Sequence, residues 1–410
     1  MPFTLQDYFT QANTRIVDSS NGTLSTANIT LFLNEALRRA RRHMELPTQM
    51  YKTPVFLMSG IYEYAIPAGY EDYAAITGPG VVPDNYDFYR VEREADFWRR
   101  FLNINSYSES RNGANWLALI NLVTPALTVA TVNQASEYTG AGQGTWVATA
   151  ASDAANVRTN TLLFKTGAGS VSFDIDVSQS VNDFAEITNS TMTSVDLSAS
   201  SIQDVGKLTV WVYLPSVTTQ YTSFTMRWGS DSSNYYELTV TAQQNGGAFV
   251  QGWNTLAFDW STVTSAQTTG TPDNSAIDYL LFRATYPAGM TDQTGLCING
   301  IYMREQKLCD WHYYSGYLVI DGTTGLPKES FDDENDTSSY FNCDDEFIDW
   351  LTYDLMENVF VMYDIDPNKA MFHRDRREKL EEDLKEKFAS QREIPVTAYM
   401  ETEQLQNFLN

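Results

Sequence analysis

The sequence predicts an α+β protein in which a small helical domain with β-hairpins is split by an inserted antiparallel β-sandwich of jelly-roll type. Residues 1–105 and about 340–393 carry apolar side chains at helical spacing. Residues from about 110 to 300 are instead rich in Thr, Ser, Gly, Asn and Val, and poor in Lys and Arg. Such an insertion is tolerated where chain ends meet at a surface, so one interrupted domain explains both changes of composition.

These changes of composition divide the chain into five predicted segments. They are a first helical part with a hairpin (1–110), a linker (111–150), the inserted sandwich (151–305), a second helical part with a hairpin and two helices (306–393), and a C-terminal tail (394–410). The tract Gly140–Asn156 is rich in Ala, Thr and Gly, which favours a flexible linker ahead of the sandwich.

The first part contains a clear helix signal. In TANITLFLNEALRRARRH the apolar side chains recur at the i, i+3, i+4 and i+7 spacing of an amphipathic helix, and Ser25 or Thr26 caps its start. A shorter helix opens the chain, with Thr4 as its cap. The run VFLMSGIYEYAIP then predicts two strands paired around Ser59 and Gly60, and Glu94–Leu102 predicts a third helix.

The middle block contains strand-like runs at regular intervals, separated by polar turns. Such alternation is typical of an antiparallel sandwich. The predicted strands are Thr161–Phe164, Val171–Val177, Leu208–Leu214, Phe224–Trp228, Tyr235–Thr241, Trp253–Phe258, Tyr279–Ala284 and Ile298–Met303.

Helical signals return near the end of the chain. The run DWHYYSGYLVIDGTTG predicts a hairpin, and Asn342 with Asp344 and Asp345 marks a helix start. A further helix begins at Pro367, because proline suits the first helical position. Its exposed side carries i, i+4 charge pairs.

Charge and cysteine content exclude several classes of protein. The chain has 52 acidic and 27 basic residues, a net charge of −25, which excludes a simple basic nucleic-acid binder. Its three cysteines fit no zinc motif and indicate free thiols in a reducing compartment. The start of the chain lacks the pattern of a signal peptide, and no apolar run approaches the ~18 residues of a membrane span.

Enzymatic motifs are not found. The sequence has no P-loop, dinucleotide fingerprint, nucleophile elbow or zinc-protease motif. We interpret His312 as a packed hairpin residue and the acidic run 332–336 as a solvated loop rather than a cation site. Asp174 and Asp176 share one strand face; a carboxylate pair for glycoside hydrolysis is the less favoured alternative to an ordinary outward face. We therefore predict no catalytic residue, metal or cofactor.

The aromatic side chains of the predicted sandwich have two possible roles. They fill the core of the sandwich, or they form a platform on which sugar rings stack. Tyr235 and Tyr236 are adjacent, so one of them faces outward. The candidate glycan-binding residues are Trp228, Tyr235, Tyr236 and Trp260.

Clustered arginines suggest a contact with an acidic partner or subunit, with a solvated helix face as the alternative. The candidate subunit or portal interface comprises Arg38, Arg39, Arg41 and Arg42, with Asp344, Asp345 and Glu346 as the opposing acidic side.

The two flanking parts resemble head-to-tail adaptor proteins of the tailed-bacteriophage neck. The resemblance rests on FLNEALRRAR (32–41), GIYEYAIP (60–67), the turn 316–322 and the charged helix 366–391, in this order. It implies a virion protein assembled in the host bacterial cytoplasm, with about twelve copies forming a ring between the portal and a tail or other neck protein. DNA would pass through the lumen without specific binding, and no membrane is involved. The C-terminal tail would dock on the portal through Tyr399, Leu405 and Phe408.

The insertion resembles a carbohydrate-binding jelly roll. The similar phrases are LTVWVYLP (208–215), RWGSDSSNYY (227–236), GWNTL (252–256), IDY (277–279) and INGI (298–301). In that fold an Asp that can serve a structural calcium often stands at the place of Asn299. The sequence therefore predicts a ring-forming structural protein of the phage neck, with a glycan-binding attachment or decoration protein as the alternative.

Overall fold

The structure, a computed structural model, describes residues 3–17, 25–44, 46, 49–67, 69–78, 88–100, 103–112, 115–123, 125–178, 183–216, 221–362 and 367–391. The chain divides into two compact units. Unit 1 comprises Met1–Val55, Ile66–Asn85 and Cys309–Asn410, and unit 2 comprises Phe56–Ala65 and Tyr86–Leu308. The chain therefore leaves and re-enters unit 1 twice.

Helices belong mainly to unit 1 and strands mainly to unit 2. The helices are α1 (Leu5–Val17), α2 (Thr26–His43), α3 (Glu94–Arg100), α4 (Asp345–Met362) and α5 (Pro367–Gln391). The strands are β1 (Phe3–Thr4), β2 (Gln49–Met58), β3 (Glu63–Ala65), β4 (Asp72–Thr77), β5 (Tyr89–Arg90), β6 (Ser106–Asn112), β7 (Asn115–Asn121), β8 (Val129–Asn133), β9 (Thr139–Gly140), β10 (Gly144–Ala148), β11 (Ala154–Asn160), β12 (Ser170–Ile175), β13 (Phe184–Asn189), β14 (Lys207–Leu214), β15 (Ser223–Asp231), β16 (Asn234–Val240), β17 (Gly252–Asp259), β18 (Thr268–Thr269), β19 (Tyr279–Thr285), β20 (Gln293–Arg304), β21 (Gln306–Ser315), β22 (Val319–Ile320), β23 (Pro327–Lys328) and β24 (Tyr340–Phe341).

The larger hydrophobic core described in unit 1 combines both ends of the chain. The buried stripe of α2, which includes Leu33 and Leu37, packs in the same cluster as Trp350 and Leu355 of α4 and Phe388 of α5. Hydrogen bonds also join the two ends: the Tyr8 hydroxyl donates to the Leu351 carbonyl over 3.1 Å. Because these partners are more than 300 residues apart in sequence, the helices of unit 1 depend on each other for burial.

The predicted caps of the first two helices are observed. Thr4 and Asp7 exchange hydrogen bonds at the start of α1, and the Ser25 hydroxyl accepts from the Asn28 amide at the start of α2. Small sheets with the order β1-β24-β22-β23 and β2-β21-β4 complete unit 1.

Unit 2 is dominated by an antiparallel β-sandwich. One sheet has the order β18-β16-β15-β19-β13-β10-β9, and the other has the order β11-β12-β20-β14-β17, with β8 pairing with β20. The apolar side chains between the sheets form one core cluster, which includes Trp228, Phe224 and Phe282. A further sheet, β3-β7-β6-β5, packs against α3 through Val91, Phe97 and Leu119.

Three expectations from the sequence differ from the structure. Residues 111–150 are not a linker, because β7, β8, β9 and β10 lie there and β8 and β10 pair with sandwich strands. Residues 161–164 form a turn rather than a strand, and the strand is β11, which ends at Asn160. The two strands around Gly60 do not pair with each other, since β2 belongs to a sheet with β21 and β3 pairs with β7.

Candidate functional site

The two outer faces of the sandwich differ in chemistry. On the seven-stranded sheet, Arg283 pairs with Glu186 at 2.6 Å, Arg227 pairs with Glu237, and the Thr225 and Thr239 hydroxyls are hydrogen-bonded. This face therefore satisfies its own charges. The six-stranded sheet also carries ion pairs, Arg158–Asp174 and Lys207–Asp259. In addition it presents partly exposed aromatic rings on its outer face, namely Trp211, Tyr213, Trp253 and Tyr302.

One of these rings, that of Trp211, lines a cleft in unit 2. We call it the Trp211 cleft; its volume is about 350 Å³. Two further aromatic side chains line it, Tyr62 and Trp98, whose rings meet edge to face at 5.4 Å. Trp98 is 38% exposed. The remaining lining is mostly polar and consists of Gly60, Ile61, Glu63, Lys165, Thr166, Gln243, Gln244, Asn245 and Thr255.

Trp211 is held in place by its neighbours. Gly300 has a φ of +60°, and a Cβ atom there would lie 2.6 Å from the indole ring, so only glycine lets this ring lie flat on β20. Tyr302 contacts the ring edge to face at 5.9 Å. A rigid aromatic wall loses little conformational entropy when a ligand stacks on it.

The segment 243–247 forms the polar side of the cleft. The Gln244 amide donates to the Thr255 carbonyl of β17 at 2.8 Å, and the Gly247 amide donates to the Asn245 side chain at 2.9 Å. The side-chain amino group of Gln243 donates to the Ala248 carbonyl. Within the described residues the Gln244 side chain has no hydrogen-bond partner, so its carbonyl and amino groups are available to a ligand.

Lys165 and Thr166 line the cleft on a tightly held turn. Their backbone amides both donate to the Asn299 side-chain oxygen at 2.8 Å. The Asn299 amino group donates in turn to four carbonyls, those of Gln134, Ala135, Thr166 and Gly169, over 3.0–3.3 Å. Asn299 is fully buried and supplies both donors and acceptors, so the turn is fixed by protein groups alone.

Arg304 lies behind the cleft. Its guanidinium donates to the Thr209 hydroxyl and to the Ser59 carbonyl, and it sits 4.9 Å from the Tyr302 ring. Burial lowers the pKa of Arg304, although a guanidinium remains protonated near neutral pH. A Cβ atom at Gly60, which lines the cleft, would lie 3.0 Å from the guanidinium.

The glycan-binding residues expected from the sequence are placed differently. Trp228 and Trp260 are 0% and 2% exposed and belong to the sandwich core, so they offer almost no ring surface on which a sugar could stack. Tyr236 is half-buried against that core, and its hydroxyl donates to Asn274. Tyr235 faces outward on the opposite sheet, where Arg227 lies over its ring at 4.7 Å. The structure brings none of the four into the Trp211 cleft.

The sequence contains a pattern that indicates an outward-facing Trp211, which the prediction of site residues did not use. Along β14, Trp211 and Tyr213 alternate with the buried Val210, Val212 and Leu214, so both aromatic rings must leave the core. No local sequence pattern predicts that Tyr62 and Trp98 lie in the same cleft as Trp211, because their proximity to β14 depends on tertiary contacts.

Two residues weighed for an alternative catalytic site, Asp174 and His312, have protein partners in the structure. Arg158 pairs with Asp174 through both guanidinium nitrogens at 2.8 and 2.9 Å, so this carboxylate is committed to an ion pair. His312 donates to or accepts from the Thr77 hydroxyl at 3.0 Å, and burial lowers its pKa. In the described part of the chain, no group of three or more His, Cys, Asp or Glu side chains is placed to hold a metal ion. Among the described helices, none has the length and apolarity to cross a membrane.

The expected interface residues divide into paired and unpaired groups. Arg39 pairs with the buried Asp354, and Arg41 lies 4.0 Å above the Tyr317 ring, so both serve unit 1 itself. Arg38 and Arg42 are exposed.

The acidic side of the expected interface lies at the start of α4. Lys387 of α5 pairs with Asp344 at 2.9 Å and with Glu346 at 2.6 Å, whereas Asp345 is exposed. Tyr399, Leu405 and Phe408 lie outside the described residues.

Comparison with known proteins gives structural neighbours only. No protein-family model and no curated protein sequence matches the chain. Solved structures that match include a family 30 carbohydrate-binding module of a cellulosomal cellulase from Clostridium thermocellum, at 11% identity and a TM-score of 0.28, covering 43% of this chain and 97% of that chain. A carbohydrate-binding module described for mannan recognition matches at 7% identity and a TM-score of 0.25, covering 44% and 97%.

The matches also include a phage protein. The enzymatically active domain of tailspike protein 4 of bacteriophage CBA120 matches at 16% identity and a TM-score of 0.21, covering 45% of this chain and 22% of that chain. The neighbours named here are thus carbohydrate-binding modules and a tailspike domain, and none of these three is a head-to-tail adaptor. At these TM-scores function has to be argued from the side chains of the chain itself.

Proposed function

We propose that unit 2 binds carbohydrate in the Trp211 cleft, and that unit 1 incorporates the chain into a phage virion as an adaptor of the neck. The observation that carries the first proposal is the combination of three aromatic side chains with unsatisfied polar groups in one cleft. Sugars present flat apolar ring faces and a dense set of hydroxyls. An indole wall covers the ring face, and the amide of Gln244 and the ammonium of Lys165 bind hydroxyls.

The exposure of the rings in the cleft supports this assignment. Paired charges occur on both sheets, as in Lys207–Asp259 and Arg227–Glu237, so they do not distinguish the two faces. Exposing Trp211 and Trp98 leaves apolar surface in water, which is unfavourable unless a ligand covers it.

The test is binding of the full-length chain to an array of microbial polysaccharides, followed by calorimetry with the best ligand. Replacing Trp211 with Ala removes the stacking wall, so we expect at least about tenfold weaker binding, equivalent to about 1.4 kcal/mol. Trp98→Ala is expected to weaken binding in the same direction.

The matched control is Tyr235→Ala, which removes an outward aromatic ring from the opposite sheet and should leave binding unchanged. Binding that survives Trp211→Ala but is lost in Tyr235→Ala would place the site on the seven-stranded sheet and contradict the proposal. Circular dichroism of each variant checks that the fold is retained.

The second proposal is favoured by the surface of unit 1. At the corner between α4 and α5, Val361, Met371 and Phe372 are all more than half exposed. Apolar side chains grouped in this way on helices are typical of subunit interfaces. The exposed Arg38 and Arg42 add charges with no acidic partner among the described residues of the chain.

We propose that this surface joins copies of the chain in a ring of about twelve around the DNA channel, with portal and tail or other neck proteins as its neighbours. The net charge of −25 suits a channel wall to which DNA does not adhere. The proposed location is the virion neck after assembly in the host cytoplasm, and no catalytic activity is proposed.

Light scattering of the purified chain, alone and with the portal of the same phage, tests this proposal. We expect masses at multiples of 46.3 kDa in at least one of the two conditions. Phe372→Ser should reduce the assembled fraction, whereas Leu162→Ser, which replaces an even more exposed apolar side chain in unit 2, should not. A monomer in both conditions that is absent from purified particles would contradict a neck role.

A further inference from the structure

We infer that the Trp211 cleft selects sugars that carry a negative charge, such as uronic acids. The inference rests on the proposed glycan binding by unit 2 and specifies the class of ligand. It comes from the distribution of basic side chains in the sandwich and not from its fold.

Between residues 129 and 304 the chain has six basic residues. Four of them are paired with carboxylates. The pairs are Arg158–Asp174 at 2.8 Å, Lys207–Asp259 at 3.2 Å, Arg283–Glu186 at 2.6 Å, and Arg227–Glu237. The other two, Lys165 and Arg304, have no carboxylate partner within the described residues. In a chain with almost twice as many acidic as basic residues, two unpaired cations in one domain are unexpected.

Both unpaired cations lie at the Trp211 cleft. Lys165 lines it directly, on the turn that Asn299 holds rigid. The Arg304 guanidinium lies 5.8 Å from the Trp211 ring and against Gly60, another lining residue. The two positive charges thus flank the aromatic wall on which a sugar would stack.

The charge of Arg304 is not compensated by its hydrogen bonds. Its donors reach a hydroxyl, a carbonyl and the faces of two aromatic rings, all of them neutral groups. Arg304 is only 5% exposed, and a buried cation without a counter-ion is unfavourable. An anion in the neighbouring cleft would offset that cost, because electrostatic attraction is strong where water is excluded.

One carboxylate also belongs to the cleft. Glu63 lines it and lies 3.5 Å from the amino group of Asn245, a neutral partner. A second carboxylate, Glu94, accepts hydrogen bonds from the Trp98 indole at 3.3 Å and from the Ser110 hydroxyl at 2.8 Å. Both carboxylates thus bind neutral groups, and within the described residues neither forms an ion pair with Lys165 or Arg304. The rest of the net charge of −25 acts weakly here, because salt screens charges beyond about 8 Å under physiological conditions.

The experiment compares matched polysaccharides on the full-length chain. The panel contains polygalacturonate, alginate, hyaluronan and chondroitin sulfate, each beside its carboxyl-reduced or desulfated form, together with neutral glucan, mannan and xylan. We expect the best acidic ligand to bind at least about tenfold more tightly than its uncharged form, with the difference shrinking in 0.5 M salt. Carboxylate and sulfate ligands are distinguished by which conversion abolishes binding.

Two variants locate the effect. Lys165→Gln removes one of the unpaired cations but keeps a hydrogen-bond donor for sugar hydroxyls, so it should weaken binding of the acidic form much more than binding of the uncharged form. Arg227→Gln removes the same charge from the opposite sheet and should preserve the preference. An equal loss in both variants would show a general charge effect and overturn the inference.

The outcomes for the ligand class are also separable. Equal affinity for acidic and uncharged forms, or binding of neutral polysaccharides only, would overturn the inference and leave the proposed glycan binding intact. A chain that binds no member of either class would overturn both.

Discussion

At the scale of single residues, one amide organises the loops beside the Trp211 cleft. Asn299 accepts two backbone hydrogen bonds through its oxygen, and the two N–H groups of its amide are shared among four carbonyls. A carboxylate of the same shape could only accept. The place that the resemblance links to a calcium-serving Asp is therefore filled here by a side chain that satisfies its neighbours without a cation.

Asn299→Asp should destabilise unit 2 by about 3 kcal/mol, because the new oxygen faces four carbonyls that have lost their donor. Calcium should restore much of this, since five oxygen atoms would then surround the position. Thermal unfolding with and without calcium is the measurement. Wild-type stability is expected to be independent of calcium, and a variant that unfolds like wild type in chelator would disprove this account of Asn299.

Gly300→Ala should both strain the backbone and push the Trp211 ring out of place. A positive φ costs a non-glycine residue about 1–2 kcal/mol, and the clash with the indole adds to it. Gly289→Ala is the matched control, because Gly289 has a φ of +89° with no atom within 4 Å of an added Cβ. Urea unfolding and calorimetry should show loss of stability in both variants but loss of glycan affinity only in Gly300→Ala.

At the scale of elements, sequence patterns located the described helices and many of the strands, but not the pairing of the strands. The sandwich strands β14–β17, β19 and β20 begin and end within about five residues of the predicted runs, because alternation of apolar and polar residues indicates a half-buried sheet. Strands β13 and β18 and the strands from β8 to β11 were missed, since small and polar side chains gave them little hydrophobic periodicity. Residues 161–164 were predicted as a strand because they include apolar side chains. In the structure they lie outside the strands, and Leu162 is 89% exposed.

The acidic loop after β23 is an element organised by one lysine. Lys328 pairs with Asp332 and Asp336, each at 2.7 Å. Burial acts in the opposite direction, but the hydrogen bonds from Lys328, the Asp332 amide and Ser339 outweigh it and lower the pKa of Asp336 to about 2. The loop is therefore an internal ion-pair network, and its acidic side chains need no bound cation.

The stability contributed by Asp336 should depend on pH. Because its folded pKa is below the unfolded value of 3.8, the contribution is present above pH 4 and is lost as the pH falls from about 4 to about 2. Allowing for solvent screening, we expect Asp336→Asn to cost about 1 kcal/mol at pH 7 and almost nothing at pH 2. Urea unfolding of both proteins across this range measures it. A difference that stays constant with pH would contradict this role for Asp336.

At the scale of the whole molecule, the two ends of the sequence meet in unit 1. Asn34 shows this directly, since its amino group donates to the Phe331 carbonyl at 2.9 Å and its oxygen accepts from the Phe331 amide at 3.0 Å. The change in composition along the sequence indicated an interrupted domain. It did not reveal that Phe56–Ala65 and residues 86–150 belong to unit 2, because membership depends on contacts that no local pattern reports.

Asn34→Leu should lower the free energy of unfolding of unit 1 by about 2 kcal/mol, because both backbone groups of the buried Phe331 lose their partner. Asn28→Leu is the control on the exposed side of the same helix and should change stability by less than about 0.5 kcal/mol. Chemical unfolding followed by helical circular dichroism distinguishes them. Equal effects of the two substitutions would refute a structural bridge at Asn34.

The central claim is that the Trp211 cleft is a glycan-binding site. A crystal structure of the chain with the oligosaccharide that binds most tightly in solution tests it most directly. We predict a sugar ring stacked on the Trp211 indole, with its hydroxyls hydrogen-bonded to Gln244 and a carboxylate or sulfate beside Lys165. An oligosaccharide bound elsewhere, for example against Tyr235 on the opposite sheet, with the cleft empty, would contradict the claim.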